Sequence, residues 1–432
     1  MKRENNYETN YETIVIGAGA GGLFFGAACP VSACGNTLIL EKTNKIGTKL
    51  LMSGSGQCNL THGGSIKEFL SCYGAKGNRI RTVLYKHNNM EMQSFMHSLG
   101  VETAEREDGK VFPLSLSAKE VRDTLLRKCT DNGAEIRCNS EVIAITPLPD
   151  SGEFTVKTAA GVVYTCRNLV IASGGSSYPA TGSDGTLLAI IRRDLPELNS
   201  TEPKPALVPV FVENYPFEAL SGISFRNAEI KIFEPNSSKP RKLSHPCGDL
   251  LLTHKNLSGP VILNNSRDIF AGCRLEINFV LPYTLYDVAS QIKEDFSANR
   301  RMISTYIGEK YLLPKKFVSA VLDRINVCDK AMGSLTGSEI NRIAEAFAKS
   351  SFMVSGTAGF RTAMATSGGI SLEEINLSEM QSKKYPGLYF IGEVLDVDGD
   401  TGGYNLQFAY SSAMTALTAI YQKNNIQNRS TL

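Results

Sequence analysis

Apolar and polar positions fall into distinct textures along the chain. Residues 13–16 (TIVI) and 37–40 (TLIL) are short continuous apolar runs, the pattern of strands buried on both faces. The segment between them carries no charge. Within it, residues 20–29 read as a short helix that ends or kinks at Pro30. Residues 118–131 place Val121, Leu125 and Cys129 on one helical face. Residues 134–145 and 154–164 read as strands around a turn at Asp150-Ser151-Gly152, and residues 168–172 (NLVIA) as a buried strand. From Pro203 the helical period vanishes, and residues 206–212, 228–233, 250–253 and 274–280 read as strands of an all-β insertion. At Thr284 the period turns helical again. Leu285, Val288, Ile292 and Phe296 share one face behind a Thr284/Asp287 capping pair. Pro314 opens a second helix through Phe317, Val321 and Ile325. Thr336 and Glu339 cap a third, with Ile340, Ile343, Ala344 and Phe347 inward. After Ser355 a glycine-rich texture leads to a strand over residues 387–391 (GLYFI) and a last helix over 406–421.

The two first runs bracket Gly17-Ala18-Gly19-Ala20-Gly21-Gly22, a G-x-G-x-x-G at Gly17, Gly19 and Gly22. In a βαβ unit the first glycine permits the tight turn, the second lets backbone approach a pyrophosphate, and the third lets helix and sheet pack closely. The helix N-terminus then offers N–H groups and a partial positive charge. Glu41, at the end of the second run, suits the hydroxyls of an unphosphorylated ribose, with Lys42 beside it. A membrane span over the same charge-free stretch is disfavoured by its six glycines and Pro30.

Further candidates for cofactor contact lie where strands empty into small residues. Residues 47–64 (GTKLLMSGSGQCNLTHGG) read as a long loop beside the nucleotide, too rich in glycine and serine for helix or strand, and carry Lys49, Gly54, Cys58 and Asn59. Cys58 is either a redox thiol or packing, and His62 a solvent-exposed side chain. Val142 lies on a strand of the same half, and Ser173 and Gly174 follow residues 168–172. After residues 387–391 come Gly392, Glu393 and Asp396, then Gly403, Asn405 and Leu406 at the start of the last helix. A carboxylate just past a strand end can reach the polyol of a flavin dinucleotide. Glycines before a helix leave N–H groups for a ring that becomes anionic on reduction, a need of flavin and not of nicotinamide. Asp396, Asp398 and Asp400 lack the glutamate of a calcium loop.

Composition narrows the classes. A net charge of +2 gives no electrostatic footprint for nucleic acid or an anionic membrane. Residues 1–10 are polar, with no apolar core of a leader, so a cytoplasmic protein is expected. The 10 cysteines include no C-x-x-C pair, which argues against a zinc ribbon or a dithiol redox motif and for mostly buried thiols.

The stretches IGAGAGG, GTKLLMSGSGQCNLT, ASGGSSYPATGSDG, PALVPV, GDLLLTHKNLSGPVIL, TSGGISLEEI and GLYFIGEVLDVDGDTGGYNLQFAYSSA run from about residue 14 to residue 415. Together they resemble a bacterial family of NAD(P)/FAD-dependent oxidoreductases, the aminoacetone-oxidase-like FAD-binding enzymes, which include bile-acid 4,6-dehydro reductases. The resemblance implies an α/β fold: an FAD-binding Rossmann-like domain of the glutathione-reductase type, with an inserted β-barrel and a small helical subdomain. The expected division is 1–202 and 353–432 for the FAD domain, 203–282 for the barrel and 283–352 for the helices. Thr48 and Gln57 stand where the family usually has arginine, and Ser173 replaces a usual threonine.

The expected activity is hydride transfer from NAD(P)H through FAD to the conjugated C=C of an apolar ketone, a bile-acid- or steroid-like enone, with Tyr404 or His254 as candidate donors to its carbonyl. With a single G-x-G-x-x-G, a second nicotinamide domain is absent, so either NAD(P)H docks transiently on the flavin face or the electron donor is something else. The β-rich insertion, poor in charge, is expected to wall an apolar cleft. The expected partner is thus a small apolar molecule, with neither nucleic acid nor membrane. The alternatives are a flavin-dependent amine or aminoketone oxidase and a non-catalytic flavin redox sensor.

Overall fold

The computed structural model describes residues 9–235, 242–296, 301–328 and 330–430. The chain forms two compact units, residues 1–205 with 363–432, and residues 206–362.

The first unit is built on a parallel sheet. Leu388–Phe390, Val163–Ile171, Thr9–Ile16, Thr37–Leu40 and Glu135–Arg137 lie side by side in that order, all parallel. Their continuous apolar runs follow from burial on both faces: Ile14, Val15, Leu38, Ile39, Leu169, Val170 and Phe390 are fully buried. An antiparallel meander, Val142–Leu148 with Glu153–Thr158, joins the sheet through Val163–Ile171. The helix Ala20–Ala28 is apolar on all sides because it is covered twice. Phe24 meets Tyr410 of the last helix edge-on at 5.5 Å, while Gly26 leaves room for Cys129 of the helix Ala118–Asp131. Pro30 ends this helix at Ala28, and Cys29 and Cys34 are joined by a disulfide across the following turn. The register aligns Ile16 with Leu40 and Ile171, and Ile171 with Phe390. Everything that follows these four residues therefore leaves the sheet at one edge.

The second unit is an antiparallel barrel with helices. Ser224–Phe233, Cys247–Leu252, Leu257–Ser258, Val210–Val212, Ser350–Thr357 and Arg274–Asn278 pair in sequence, and the last pairs back to the first. Between Arg274–Asn278 and Ser350–Thr357 run the helices Leu285–Asp295, Ile303–Lys310, Lys315–Arg324 and Gly337–Ala348. The capping boxes at Thr284 and Thr336 are both formed. Barrel and helices share one core, in which Phe317 packs against Phe217, Phe225, Phe279 and Phe347.

The fold is thus the expected α/β arrangement, a Rossmann-type domain with an inserted barrel and helices. Several local expectations are corrected. The glycine-rich stretch 47–64 is not all loop: Thr48–Met52 is helical, anchored by the buried Leu50, and Thr61–His62 is a short strand. Residues 134–145 do not form one strand. At Asn139 φ is 53°, and the Asn139 and Ser140 N–H groups bond to Thr43 and Glu41 carbonyls instead of the sheet. Residues 154–164 likewise split, with a turn between Glu153–Thr158 and Val163–Ile171. Residues 206–212 are divided at Leu207, φ 52°: Ser200–Ala206 pairs with Ala365–Ile370 and Val210–Val212 enters the barrel. Barrel and helices form one unit, and the chain returns to the first unit at Ala363, not residue 353, because Ser350–Thr357 completes the barrel. Ile303–Lys310 had no signal, since Met302 offers no side-chain cap. The last helix, Tyr404–Ser430, outruns residue 421 because no glycine or proline stops it. No helix among the described residues is long and apolar enough to cross a membrane.

Candidate functional site

The three glycines of the first turn are required for different reasons. Gly17 has φ 107°, and a Cβ there would lie 2.5 Å from the Ala172 carbonyl oxygen. A Cβ on Gly22 would lie 2.0 Å from the Gly17 carbonyl oxygen. Gly19 is different: φ is −79°, and a Cβ would meet nothing within 4 Å. No steric demand of the protein's own atoms requires that glycine, and the space in front of it is open. Glu41 is buried and fixed to the same turn. Its Oε2 accepts from the Ala18 N–H (3.0 Å), and its Oε1 from the N–H and hydroxyl of Thr43 (both 2.9 Å). A carboxylate offers about four acceptor positions, so one remains. Beside it, Gly182 approaches Glu41 and Thr43, and the Ser183 hydroxyl is buried with no hydrogen-bond partner. Gly174 has φ 73° and faces that hydroxyl, 2.8 Å from where its Cβ would stand. A buried, unpartnered hydroxyl beside an acidic corner and an open glycine is what a ribose and pyrophosphate would complete.

Farther along the edge, segments remote in sequence converge on Glu393. Its Oε2 pairs with the Lys49 ammonium at 2.6 Å, and its Oε1 accepts from Ser177 Oγ (2.7 Å) and the Thr366 N–H (2.8 Å). Lys49 also donates to Ser177 Oγ, while Thr366 Oγ1 accepts from the N–H groups of Ser176 and Ser177 (2.8 and 3.0 Å). Asp396 is buried and held by Lys76, by Thr201 Oγ1 (3.0 Å) and by the Gly368 N–H (3.0 Å).

The loops over residues 54–59 and 392–406 meet. Asn59 donates to the carbonyls of Thr61 (2.9 Å) and Val111 (3.2 Å) and accepts from the Gly403 N–H (3.2 Å). A Cβ on Gly403 would sit 2.6 Å from the Thr61 backbone, and Thr61 Oγ1 donates to Gln407 at 2.6 Å. The first loop is conformationally unusual, with Gly54, Ser55, Gly56 and Cys58 all at positive φ. Such clusters in non-glycine residues persist where the surroundings enforce them. Asn405 ties the second loop by bonding both the N–H and the carbonyl of Gly399 (2.9 Å each).

The family model described as HI0933-like protein Rossmann domain matches residues 11–419. The chain belongs to this family. It is 31% identical over 421 residues to a protein of Haemophilus influenzae described as ribosomal RNA dihydrouridine synthase, covering 95% of this chain and 98% of that one. It is 28% identical over 410 residues to a 3-dehydro-bile acid delta(4,6)-reductase of Clostridium scindens, covering 93% and 97%. Among solved structures, 3-ketosteroid delta1-dehydrogenase from Sterolibacterium denitrificans superposes with a TM-score of 0.50 at 12% identity, over 96% of this chain and 100% of that one, a likeness of fold.

For an HI0933-like chain, the placement of the remaining expected site residues matters. Val142 pairs with Thr158 in the meander, its side chain buried, and Leu406 is half-buried in the first turn of the last helix. Lys42 is engaged by Asp184 (2.6 Å) and Glu141 (3.0 Å). Tyr404 is 8% exposed, stacked on His62 at 5.3 Å and edge-on to Phe69 at 5.0 Å. Burial, with a Cys72 contact, raises its hydroxyl far above the ordinary value. It packs against this loop, with its hydroxyl in contact with Cys72. His62, half-buried, is not the solvent-exposed side chain expected. His254 is exposed in the turn between Cys247–Leu252 and Leu257–Ser258 of the second unit.

Thiols are less uniformly buried than expected: Cys58, Cys129, Cys166 and Cys273 are buried, while Cys247 is exposed. Burial pushes the Cys58 thiol up to about 11, which makes it a packing residue and not a thiolate nucleophile. An aromatic disulfide at pH 7.5 should react fast at Cys247, and Cys247→Ser should abolish that phase while Cys58→Ser leaves it intact. A fast phase that survives Cys247→Ser contradicts this exposure. Because the folded value for Cys58 lies above that of the free thiol, its contribution to stability is complete below about pH 9 and lost between about pH 9 and 11. Cys58→Ala should flatten that alkaline loss, measured as midpoint denaturant concentration against pH.

Four polar residues of this site went unnoticed in the sequence. Ser177 and Ser183 lie within ASGGSSYPATGSDG, and Thr366 lies within a glycine-rich tract; their hydroxyl-bearing side chains amid small residues were the signal. Arg106 had none. It donates to Gln57 Oε1 at 2.8 Å with its guanidinium 3.8 Å over the Phe112 ring. Arg122 lines the same cavity as Thr48.

Proposed function

We propose that the chain is an FAD-dependent reductase that saturates a C=C bond conjugated to a carbonyl, with NADH or NADPH as electron donor, and that its acceptor is a uridine of ribosomal RNA. One observation carries the reading. Two relatives that each cover nearly the whole chain carry names describing different molecules but one electrophile. Dihydrouridine is uridine saturated at C5=C6, a bond conjugated to the C4 carbonyl, and a bile-acid delta(4,6) ketone is conjugated in the same sense. Uridine stands first because the 31% relative is named for it. An apolar bile-acid- or steroid-like enone is the second reading, favoured by the 28% relative.

Bound FAD, once reduced by the nicotinamide, would supply hydride chemistry at the β-carbon, C6 in uracil, with a proton completing the α-carbon. The protein's own residues do the holding. The open face at Gly19 admits the pyrophosphate, Glu41 accepts from ribose, and Ser183 provides an otherwise unused hydroxyl. The Lys49–Ser177–Glu393 network fixes the loop after Leu388–Phe390, so the ring-binding segment is ordered before any ligand arrives.

The test is anaerobic stopped-flow. NADH or NADPH should bleach the flavin, and an unmodified ribosomal RNA fragment should restore its oxidised spectrum and yield dihydrouridine. Reoxidation by a dehydro bile acid alone would select the second reading. Bleaching by an amine with no enone or uridine reoxidation would replace both with an oxidase, and bleaching by neither donor would leave a sensor.

A further inference from the structure

One surface of the first unit has a charge pattern that net charge conceals. From Phe69 to Met90 the chain contains Lys76, Arg79, Arg81 and Lys86 and no acidic residue. Arg79, Arg81, Tyr85 and Lys86 are exposed. The Arg81 guanidinium lies 5.4 Å above the Tyr85 ring, whose side chain belongs to a residue 49% exposed. The acids near this surface are engaged or peripheral. Asp396 is bonded to Lys76, Glu373 approaches Arg79 at 3.4 Å from an exposed position, and Glu91 pairs with His87. Among the described residues, Arg81 and Lys86 have no carboxylate partner.

The surface is also fastened to the candidate cofactor loop at both ends. The Tyr73 hydroxyl donates to the Tyr404 carbonyl (2.8 Å) and the Asp400 N–H to the Cys72 carbonyl (2.8 Å). At the other end, Gln407 Nε2 and Ser411 Oγ donate to the His87 carbonyl (3.1 and 2.5 Å). A ligand lying on it would therefore be held at a fixed place relative to residues 396–411.

We propose that Arg79, Arg81 and Lys86, with the exposed Tyr85 ring under the Arg81 guanidinium, form a landing face for single-stranded RNA that presents the uridine to the site. The cations take backbone phosphates, and the Arg81–Tyr85 pair takes an unstacked base. An anionic lipid surface would use the same cations but has no need of an aromatic ring with a guanidinium over its face. The inference rests on the RNA reading of the acceptor.

The experiment is fluorescence anisotropy of the holoenzyme with a labelled oligouridylate of about twelve nucleotides, between 50 and 200 mM salt. The R79Q/R81Q/K86Q variant should bind at least about tenfold more weakly at low salt, with the slope of log K against log salt reduced by about 2. Tyr85→Ala should weaken binding about tenfold and leave the slope unchanged. Retention of bound flavin and of the melting temperature shows that these surface variants fold. If the triple variant matches the native protein in affinity and slope, the landing face is wrong while the RNA reading stands. If the native holoenzyme binds no oligonucleotide yet its reduced flavin is reoxidised by an enone, the RNA reading falls and this face with it. Binding of phosphatidylglycerol vesicles in place of RNA also overturns it.

Discussion

Gly19→Val should fold as the native chain does and purify colourless. Gly19 occupies the N-cap of Ala20–Ala28 with extended backbone and an empty volume in front of it, so valine meets no protein atom at its Cβ. The loss of a tolerated N-cap residue costs at most about 1 kcal/mol. A pyrophosphate drawn to the helix N-terminus must use that same volume, and a branched side chain excludes it. We expect FAD affinity to fall at least a hundredfold, about 2.8 kcal/mol. Gly22→Val is the contrasting case. Its Cβ would stand 2.0 Å from the Gly17 carbonyl oxygen, a backbone atom fixed by the sheet, so the fold itself should fail by more than about 4 kcal/mol. Flavin content and thermal unfolding of the two proteins separate the cases. A yellow Gly19→Val protein with one FAD per chain would mean that the open volume is not the phosphate site.

Breaking the ion pair between Lys49 and Glu393 should destabilise the first unit by about 2–3 kcal/mol per single substitution, somewhat below the ~3–5 kcal/mol of a fully buried pair. The discount follows from side chains that are 25% and 20% exposed. Lys49→Met leaves a carboxylate with Ser177 and the Thr366 N–H as its remaining donors. Glu393→Gln turns an amide N–H₂ toward a group that can only donate. The double variant should cost little more than either single one, because the second substitution removes a group already orphaned. Equal, additive losses in chemical denaturation would show that the two side chains are not energetically coupled. Flavin affinity should track the same pattern, since the pair fixes the loop after Leu388–Phe390.

The elements whose burial is symmetric were the most legible. A strand covered on both faces and a helix with one apolar stripe each impose a period on sequence, which is why residues 13–16, 37–40, 118–131 and the caps at Thr284 and Thr336 could be placed. The glycine turn was legible because two of its glycines answer to steric demands of backbone itself. What sequence could not show was where chains remote in sequence pair. Nothing local in Thr366 or Ser177 says that both bond Glu393. Arg106 reaches Gln57 only because a hairpin folds back. Residues 134–145 carry strand composition throughout, yet backbone bonds to the Glu41–Thr43 turn outcompete the sheet there. Tyr404 was attractive as a donor from its position beside two glycines, but its neighbours Phe69, Tyr73 and His62 come from a segment over 300 residues earlier and enclose it.

The order of strands in the first sheet also sets a timetable for synthesis. Val163–Ile171 is flanked on one side by Thr9–Ile16 and on the other by Leu388–Phe390, which is translated more than 200 residues later. Until that strand emerges from the ribosome, an apolar sheet edge stands open, and Lys49 lacks its counter-ion. Residues 206–362 have every barrel partner by then and can be complete first. The nascent first unit therefore keeps that edge exposed until residues 388–390 are made.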